Sequence, residues 1–167
     1  MIELALQSKL LVYAAIASML GLMGGIIWYA SLDNPQLEQA QIELFDVEVF
    51  SVNKVENSAK LTVTFLVRNP SEKTFTVPLI NYKLFADGEL LGSGQYSTED
   101  VAMPGRALFT SGSEVPLDSI FQLNKSEISS KTYQAVIDEK ISSFRVEGVM
   151  TTESAWSVVE KDFESST

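Results

Sequence analysis

The chain has 167 residues, with 22 acidic and 12 basic side chains, a formal charge of −10 at pH 7, and neither cysteine nor histidine. Without thiol or imidazole there are no disulfides, no Ser-His or Cys-His dyads, no haem ligation by histidine, and no zinc or copper site that needs those ligands. An acidic surface repels phosphate backbones, so nucleic acid is not an expected partner, and no cofactor is expected either.

Residues 1–9 read as a short cytoplasmic N-terminus. From Leu10 to Leu32 no side chain is charged, and at 1.5 Å per residue such a helix spans roughly 35 Å, enough to cross a hydrocarbon core of about 30 Å. The run closes on Trp28-Tyr29-Ala30-Ser31. A cleaved signal is shorter and ends in small residues, so residues 10–32 read as a permanent transmembrane helix. Trp28 and Tyr29 suit one interfacial belt and Tyr13 the other. Lys9 precedes the span and the next basic residue is Lys54, which places the N-terminus inside and the rest of the chain outside. Gly21 and Gly25, in G-x-x-x-G spacing on a face with Ala14, Ala17 and Ser18, are candidates for helix packing. Glycine is also simply frequent in membrane helices. The expected partners are the lipid bilayer and, through that face, other membrane subunits.

Asp33, Asn34 and Pro35 break the helix, and residues 33–41 read as a polar linker, a stalk before one domain at 42–163. About 130 residues suffice for one core and not two. Ile42 to Val52 alternates, with Phe45, Val47 and Val49 on one face and Leu44, Asp46 and Glu48 on the other, the period of a half-buried strand. After a turn at Asn53 to Ala59, Leu61, Val63, Phe65 and Val67 share the inward face of a second strand. Asn69-Pro70-Ser71 ends it, since proline lacks the ladder amide and asparagine favours turns. Pro78 restarts extended chain. Ile80, Tyr82, Leu84 and Ala86 alternate up to Asp87-Gly88, the pair that a two-residue type I′ hairpin prefers. The return strand, Leu90 to Ser97, is thinned by Gly92 and Gly94, a mark of a bulge or close approach.

Met103-Pro104-Gly105 is the next turn, and Ala107 to Leu117 reads as a fifth strand. From Asp118 to Lys140 the apolar spacing of Ile120, Leu123, Ile128, Val136 and Ile137 predicts a helix, with Asn124 and Glu127 at capping-box offset. Ile141 to Thr151 is a sixth strand with Phe144, Val146, Gly148 and Met150 inward, and Trp156 to Phe163 a last edge strand, leaving 164–167 as a frayed tail. The fold class is mainly β: one N-terminal transmembrane helix, then an immunoglobulin-like or fibronectin-like β-sandwich of about seven strands with one helix between late strands.

The succession Val67-Arg68-Asn69-Pro70, Val77-Pro78-Leu79-Ile80-Asn81-Tyr82 and Leu84-Phe85-Ala86-Asp87-Gly88-Glu89-Leu90-Leu91-Gly92-Ser93-Gly94, with Pro104 later, resembles the late embryogenesis abundant group 2 family, LEA14-like with the WHy domain. The resemblance covers residues 42–152. It implies a folded β-sandwich with one helix, no catalytic site, and an association with desiccation, osmotic or other stress tolerance. Membrane-anchored relatives place their helix before the domain, as here.

Among single residues, Asn69 is expected to hydrogen-bond the turn ahead of Ser71, while Pro70, Pro78, Asp87, Gly88, Gly92 and Pro104 are conformational. The carboxylate pairs Asp46/Glu48, Glu99/Asp100 and Asp138/Glu139 read as solvated surface, because a hard cation wants about six oxygens. Asp118, Ser119 and Lys125 lack a base partner for hydrolysis. Asn124-Lys125-Ser126 matches the N-glycosylation acceptor pattern, in competition with the capping role of Asn124. The expected function is a non-catalytic, membrane-anchored extracytoplasmic domain with a binding or protective role. The alternative is an accessory subunit of a larger membrane enzyme complex of respiratory or monooxygenase type.

Overall fold

The computed structural model describes the backbone of residues 2–98 and 107–167, and the side chains of these residues from Lys9 onward except Ala30. Helix α1 (Ile2–Ser31) has 30 residues, about 45 Å of axis, and is long and apolar enough to cross a membrane. A turn at Leu32 and Asp33 ends it, as the sequence predicts. The expected stalk is not free chain. Asn34–Leu37 form one helical turn, α2, with Pro35 in its first positions, where a missing amide hydrogen costs little. Leu37 and Ala40 are both 0% exposed in the domain core. The polar residues around them, Gln36, Glu38 and Gln39, hid this plug from composition.

Strands β1 (Gln41–Asn53), β2 (Ser58–Arg68), β3 (Phe75–Ala86), β4 (Glu89–Ser97), β5 (Leu108–Phe109), β6 (Glu114–Asn124), β7 (Phe144–Glu153) and β8 (Val158–Ser166) build the domain, with helix α3 (Ser130–Ile137) between β6 and β7. One antiparallel sheet has the order β1-β2-β6, the other β4-β3-β7-β8, with β5 beside the start of β3. The faces pack through Leu61, Val63, Phe65 and Val67 of β2, Ile80, Tyr82 and Leu84 of β3, Leu117, Phe121 and Leu123 of β6, and Val146 and Met150 of β7. Phe65 meets Tyr82 edge-on at 4.9 Å and Phe163 at 6.0 Å, so a herringbone of rings joins the two sheets.

Several expectations are corrected. In β1 the register shifts between Leu44 and Asp46 and again between Val49 and Ser51. The first bulge reverses the phase, so Leu44 is buried and Phe45 exposed, opposite to simple alternation. Pro78 lies inside β3 rather than before it, at a shift between Thr76 and Leu79 against β7, where the ladder does not need its amide. The strand expected over Ala107–Leu117 is two strands in different sheets, separated by a turn in which Gly112 has φ +72°. The helix expected from Asp118 starts only at Ser130. Leu117, Ser119, Phe121 and Leu123 instead alternate inward on β6. The tail does not fray: Ser166 pairs with Arg145, and the Thr167 amide donates to the Phe144 carbonyl at 3.0 Å.

Candidate functional site

The sandwich has two unlike ends, and Asn69 and Pro70 lie at the one that meets α1. Asn69 is 1% exposed. Its Nδ2 donates to the carbonyls of Lys73 and Phe109, each at 2.8 Å, while Oδ1 accepts from the Ser71 amide at 3.0 Å and the Ser71 hydroxyl at 2.8 Å. Its own backbone bonds Ser113 and Gly112. One amide side chain thus ties the β2 end to β5 and to the crossing between sheets, the turn role expected of it. Pro70 sits exposed at the corner. The loop so fixed presents Lys73, whose ammonium lies 2.9 Å from Asp33, the second residue after the helix. Hydrogen bonding to Asp33, then its charge, raises the Lys73 pKa. A second lysine, Lys161 of β8, donates to the carbonyls of Glu38 (2.9 Å) and Ala40 (2.8 Å). With Leu37 as plug, these contacts latch the helix exit onto the domain.

Trp156, in the turn between β7 and β8, faces Leu22, Gly25, Ile26 and Tyr29 of α1 across an apolar space of about 480 Å3. Gly21 and Gly25 lie on the exposed helix, and a Cβ at either would meet no atom within 4 Å.

At the opposite end, Asp87 (φ +47°) and Gly88 (φ +86°) form the hairpin turn, with Ala86 paired to Glu89. The Asp87 carboxylate also accepts from the amides of Ser142 and Ser143, both at 3.1 Å. Glu89 holds the start of α3, accepting from the Thr132 hydroxyl at 2.6 Å and the Ser129 amide at 3.1 Å. Those bonds, Thr132 first, lower its pKa. Ser129 caps α3 by accepting from the Thr132 amide. Asn124 is therefore not the cap. Its Nδ2 donates to Glu127 at 3.0 Å in the preceding turn, so the glycosylation amide is engaged there.

Gly92 has φ +146°, beside a register shift at Leu84/Phe85, and a Cβ there would lie 3.2 Å from the Phe121 ring, so the bulge and close approach coincide. Gly94 leaves room for the Tyr82 ring, whose hydroxyl donates to Ser119 Oγ at 2.9 Å, and Ser119 donates to the Gln95 carbonyl at 3.0 Å. Burial pushes the Tyr82 phenol up to about 12, against the smaller opposing effect of its Ser119 bond. Ser119 is consequently a buried structural hydroxyl. Asp118 points to the other face and accepts from Thr64 Oγ1, so the two are not brought together. Among the described residues no three acidic side chains cluster as a cation site. The Glu99/Asp100 pair, Met103, Pro104 and Gly105 lie outside the described residues.

Two concavities lie away from the helix exit. A shallow groove of about 850 Å3 on the outer face of the larger sheet is lined by Asn81, Lys83, Gln95, Glu147, Asp162 and Glu164 among others. A cleft of about 460 Å3 opens under α3 between Val47, Val49, Leu61, Val136, Ile141 and Phe144, with Glu48 and Glu139 at its rim. Sequence reasoning missed Leu37, Ala40, Lys73, Lys161 and Trp156 as junction residues. A tryptophan set in Glu153-Ser154-Ala155-Trp156-Ser157 between two strands was the one local signal, an aromatic where a turn is polar.

No family model matches the chain, and no curated protein matches it. Among solved structures, a protein of Arabidopsis thaliana aligns at TM-score 0.54 and 15% identity over 75% of this chain and 78% of its own. A protein from Archaeoglobus fulgidus aligns at TM-score 0.49 and 16% identity, covering 76% and 94%. A protein described as late embryogenesis abundant aligns at TM-score 0.44 and 16% identity, covering 90% and 82%. At such identities the first alignment establishes a shared fold, and activity is argued separately.

Proposed function

We propose that this chain is a membrane-anchored β-sandwich protein that acts without catalysis, by binding or shielding, with α1 spanning the bilayer and the acidic domain outside. The observation that carries the reading is the exposure of α1. Every described side chain from Leu10 to Tyr29 is exposed, a contiguous apolar surface far larger than a soluble monomer presents to water. A bilayer removes that surface from water, and Lys9 on the short side favours the N-terminus in the cytoplasm. Stress or desiccation tolerance follows from the resemblance of the Asn69-Pro70 and Asp87-Gly88 succession to late embryogenesis abundant group 2 proteins. The test has two parts. The full chain stays in the membrane pellet after alkaline carbonate, and protease added outside intact cells degrades the domain; release by carbonate, or full protection of the domain, refutes the anchor or its orientation. Deleting residues 42–167 lowers survival of drying or high salt; unchanged survival refutes the stress role.

A second reading, an accessory subunit of a larger membrane enzyme complex, is favoured by the G-x-x-x-G spacing of Gly21 and Gly25, where the lack of side chains lets a second helix approach closely. Mild-detergent native gels of Gly21→Leu/Gly25→Leu decide it: a complex unchanged in size, or a lone monomer for the natural chain, excludes that reading.

A further inference from the structure

We infer that the base of the domain is itself a lipid-binding surface, in which Trp156 and the α1 residues Leu22, Gly25, Ile26 and Tyr29 hold a phospholipid acyl chain at the outer edge of the bilayer. The inference rests on the anchor reading of α1 and extends it from the helix to the folded domain. The five residues line an apolar space of about 480 Å3. From Tyr29 to Leu22 it runs about 10 Å along the helix, from the Trp28-Tyr29 belt toward the bilayer interior, so whatever fills it is continuous with the hydrocarbon that surrounds α1.

The domain presents Trp156 deliberately rather than loosely. It is 67% exposed, yet the Ser154 hydroxyl accepts from the amides of Trp156 (3.3 Å) and Ser157 (3.2 Å), and the Ser154 amide donates to the Ser157 carbonyl at 2.8 Å. A stapled turn holding an indole outward has the amphipathic chemistry of the membrane interface. Leu108, 63% exposed on β5, and Ala155 line a second depression with Thr74, Thr76 and Glu153, adding apolar area beside one carboxylate. Charge argues for an apolar contact and not for recognition of anionic headgroups. Lys73 is paired with Asp33, and Lys161 is engaged by the carbonyls of Glu38 and Ala40, so both cations of the latch are already occupied. Leu37, buried six residues after the end of α1, keeps the base against the helix exit.

The chain has two tryptophans, which makes the test direct. The full chain carrying Trp28→Phe is reconstituted in zwitterionic phosphatidylcholine vesicles, leaving Trp156 as the reporter, and a companion Trp156→Phe chain reports Trp28. Lipids brominated on the upper acyl chain are expected to reduce Trp156 emission about twofold, with iodide quenching several-fold weaker than for free tryptophan, as for an interfacial indole, and with no change on adding salt. Trp156 open to iodide and untouched by brominated lipid, while Trp28 is quenched by lipid, overturns the inference and leaves the anchor standing. Trp156 shielded from both quenchers also overturns it, because a second protein segment then fills the space. If neither tryptophan responds to brominated lipid, the anchor reading fails and the inference with it.

Discussion

Asn69→Ala removes four hydrogen bonds from a side chain that is almost wholly buried. The Lys73 carbonyl keeps a weak donor in the Ser71 hydroxyl at 3.3 Å, but the Ser71 amide loses its acceptor and the Phe109 carbonyl loses its side-chain donor. With about 1–3 kcal/mol for each buried group so left, the expected loss is about 3 kcal/mol. At a urea slope of about 2 kcal/mol/M this lowers the unfolding midpoint by about 1.5 M, read from the far-UV β signal of the detergent-solubilised chain. Asn69→Asp is the sharper variant. It keeps the two acceptor contacts to Ser71 but sets carboxylate oxygens against two carbonyls in a dry site, so it destabilises more than alanine at neutral pH. Burial and those carbonyls raise the new carboxyl's pKa in the folded state above its unfolded value. Its penalty is therefore absent below the unfolded pKa and grows as pH rises through the folded one, and acidification narrows the gap to the natural chain. Asn81→Ala, on the exposed outer face, is the control and moves stability by about 0.5 kcal/mol or less. If Asn69→Ala matches that control, water replaces the amide and the motif does not hold the base together.

Gly148→Ala puts a Cβ 2.2 Å from the Asn81 carbonyl oxygen and 2.9 Å from Tyr82 Cα, backbone atoms that cannot swing away, so it costs about 3 kcal/mol. Gly112→Ala meets open space at φ +72° and costs about 1 kcal/mol; equal urea midpoints for the two refute the packing argument. Tyr82 has a folded pKa of about 12, above the ordinary value of about 10. Its contribution is thus intact below the unfolded pKa and lost as pH rises through the folded one, so alkaline titration at 295 nm shows a late phenol phase. The Tyr96 pKa is also raised, so Tyr82→Phe diminishes that phase and does not abolish it. Glu89 has a folded pKa below its ordinary value, so its hold on α3 is present at neutral pH and fades as pH falls through that lowered value. Glu89→Gln speeds amide exchange of residues 130–137 at neutral pH and leaves β2 unchanged; unchanged exchange in α3 refutes the role of Glu89.

How much of this was legible in the sequence depends on whether a residue's partners are near it in the chain. The apolar run, the alternation of β2 and of Ile80 to Ala86 in β3, and the Asp87-Gly88 turn are local patterns, and a helix, two strands and a hairpin turn lie over them, although α1 begins at Ile2 and β3 at Phe75. The phase of β1 was not legible, because a bulge at Phe45 adds one residue and exchanges the faces on either side of it. The Asp118–Asn124 stretch misled for a related reason. Ile120 is exposed, and Leu123 shares its face with Leu117 and Phe121, but three apolar side chains at mixed spacing also satisfy a helical period. At the site, the turn role of Asn69 was readable from its proline neighbour. Its bond to Phe109, forty residues on, was not. The latch drew on residues with no motif at all: Lys73 and Lys161 are ordinary surface lysines until the fold sets them against the helix exit.

The seams of the sandwich decide which surfaces remain for partners. Where β4 meets β6, Ser119 donates to the Gln95 carbonyl, and where β1 meets β8, the Leu44 amide donates to Ser165 Oγ at 2.9 Å. Each seam is crossed by a side-chain bond to backbone, which disfavours pairing of an added strand there. The base holds α1, Leu37, the two lysines and the apolar space beside Trp156. Away from it, the outer groove of the larger sheet and the cleft at the α3 end are open, and their chemistry differs. In the groove Lys83 stands among Glu147, Asp162 and Glu164, and Arg145 is already shared between Glu147 and Glu164 while stacked at 4.4 Å on Phe85. Three carboxylates there face two cations, so the groove carries net negative charge. The cleft under α3 instead sets apolar walls from Val47, Val49, Leu61 and Val136 beside the carboxylates of Glu48 and Glu139. The latch at Lys73 and Lys161 therefore fixes where both surfaces sit relative to the helix exit.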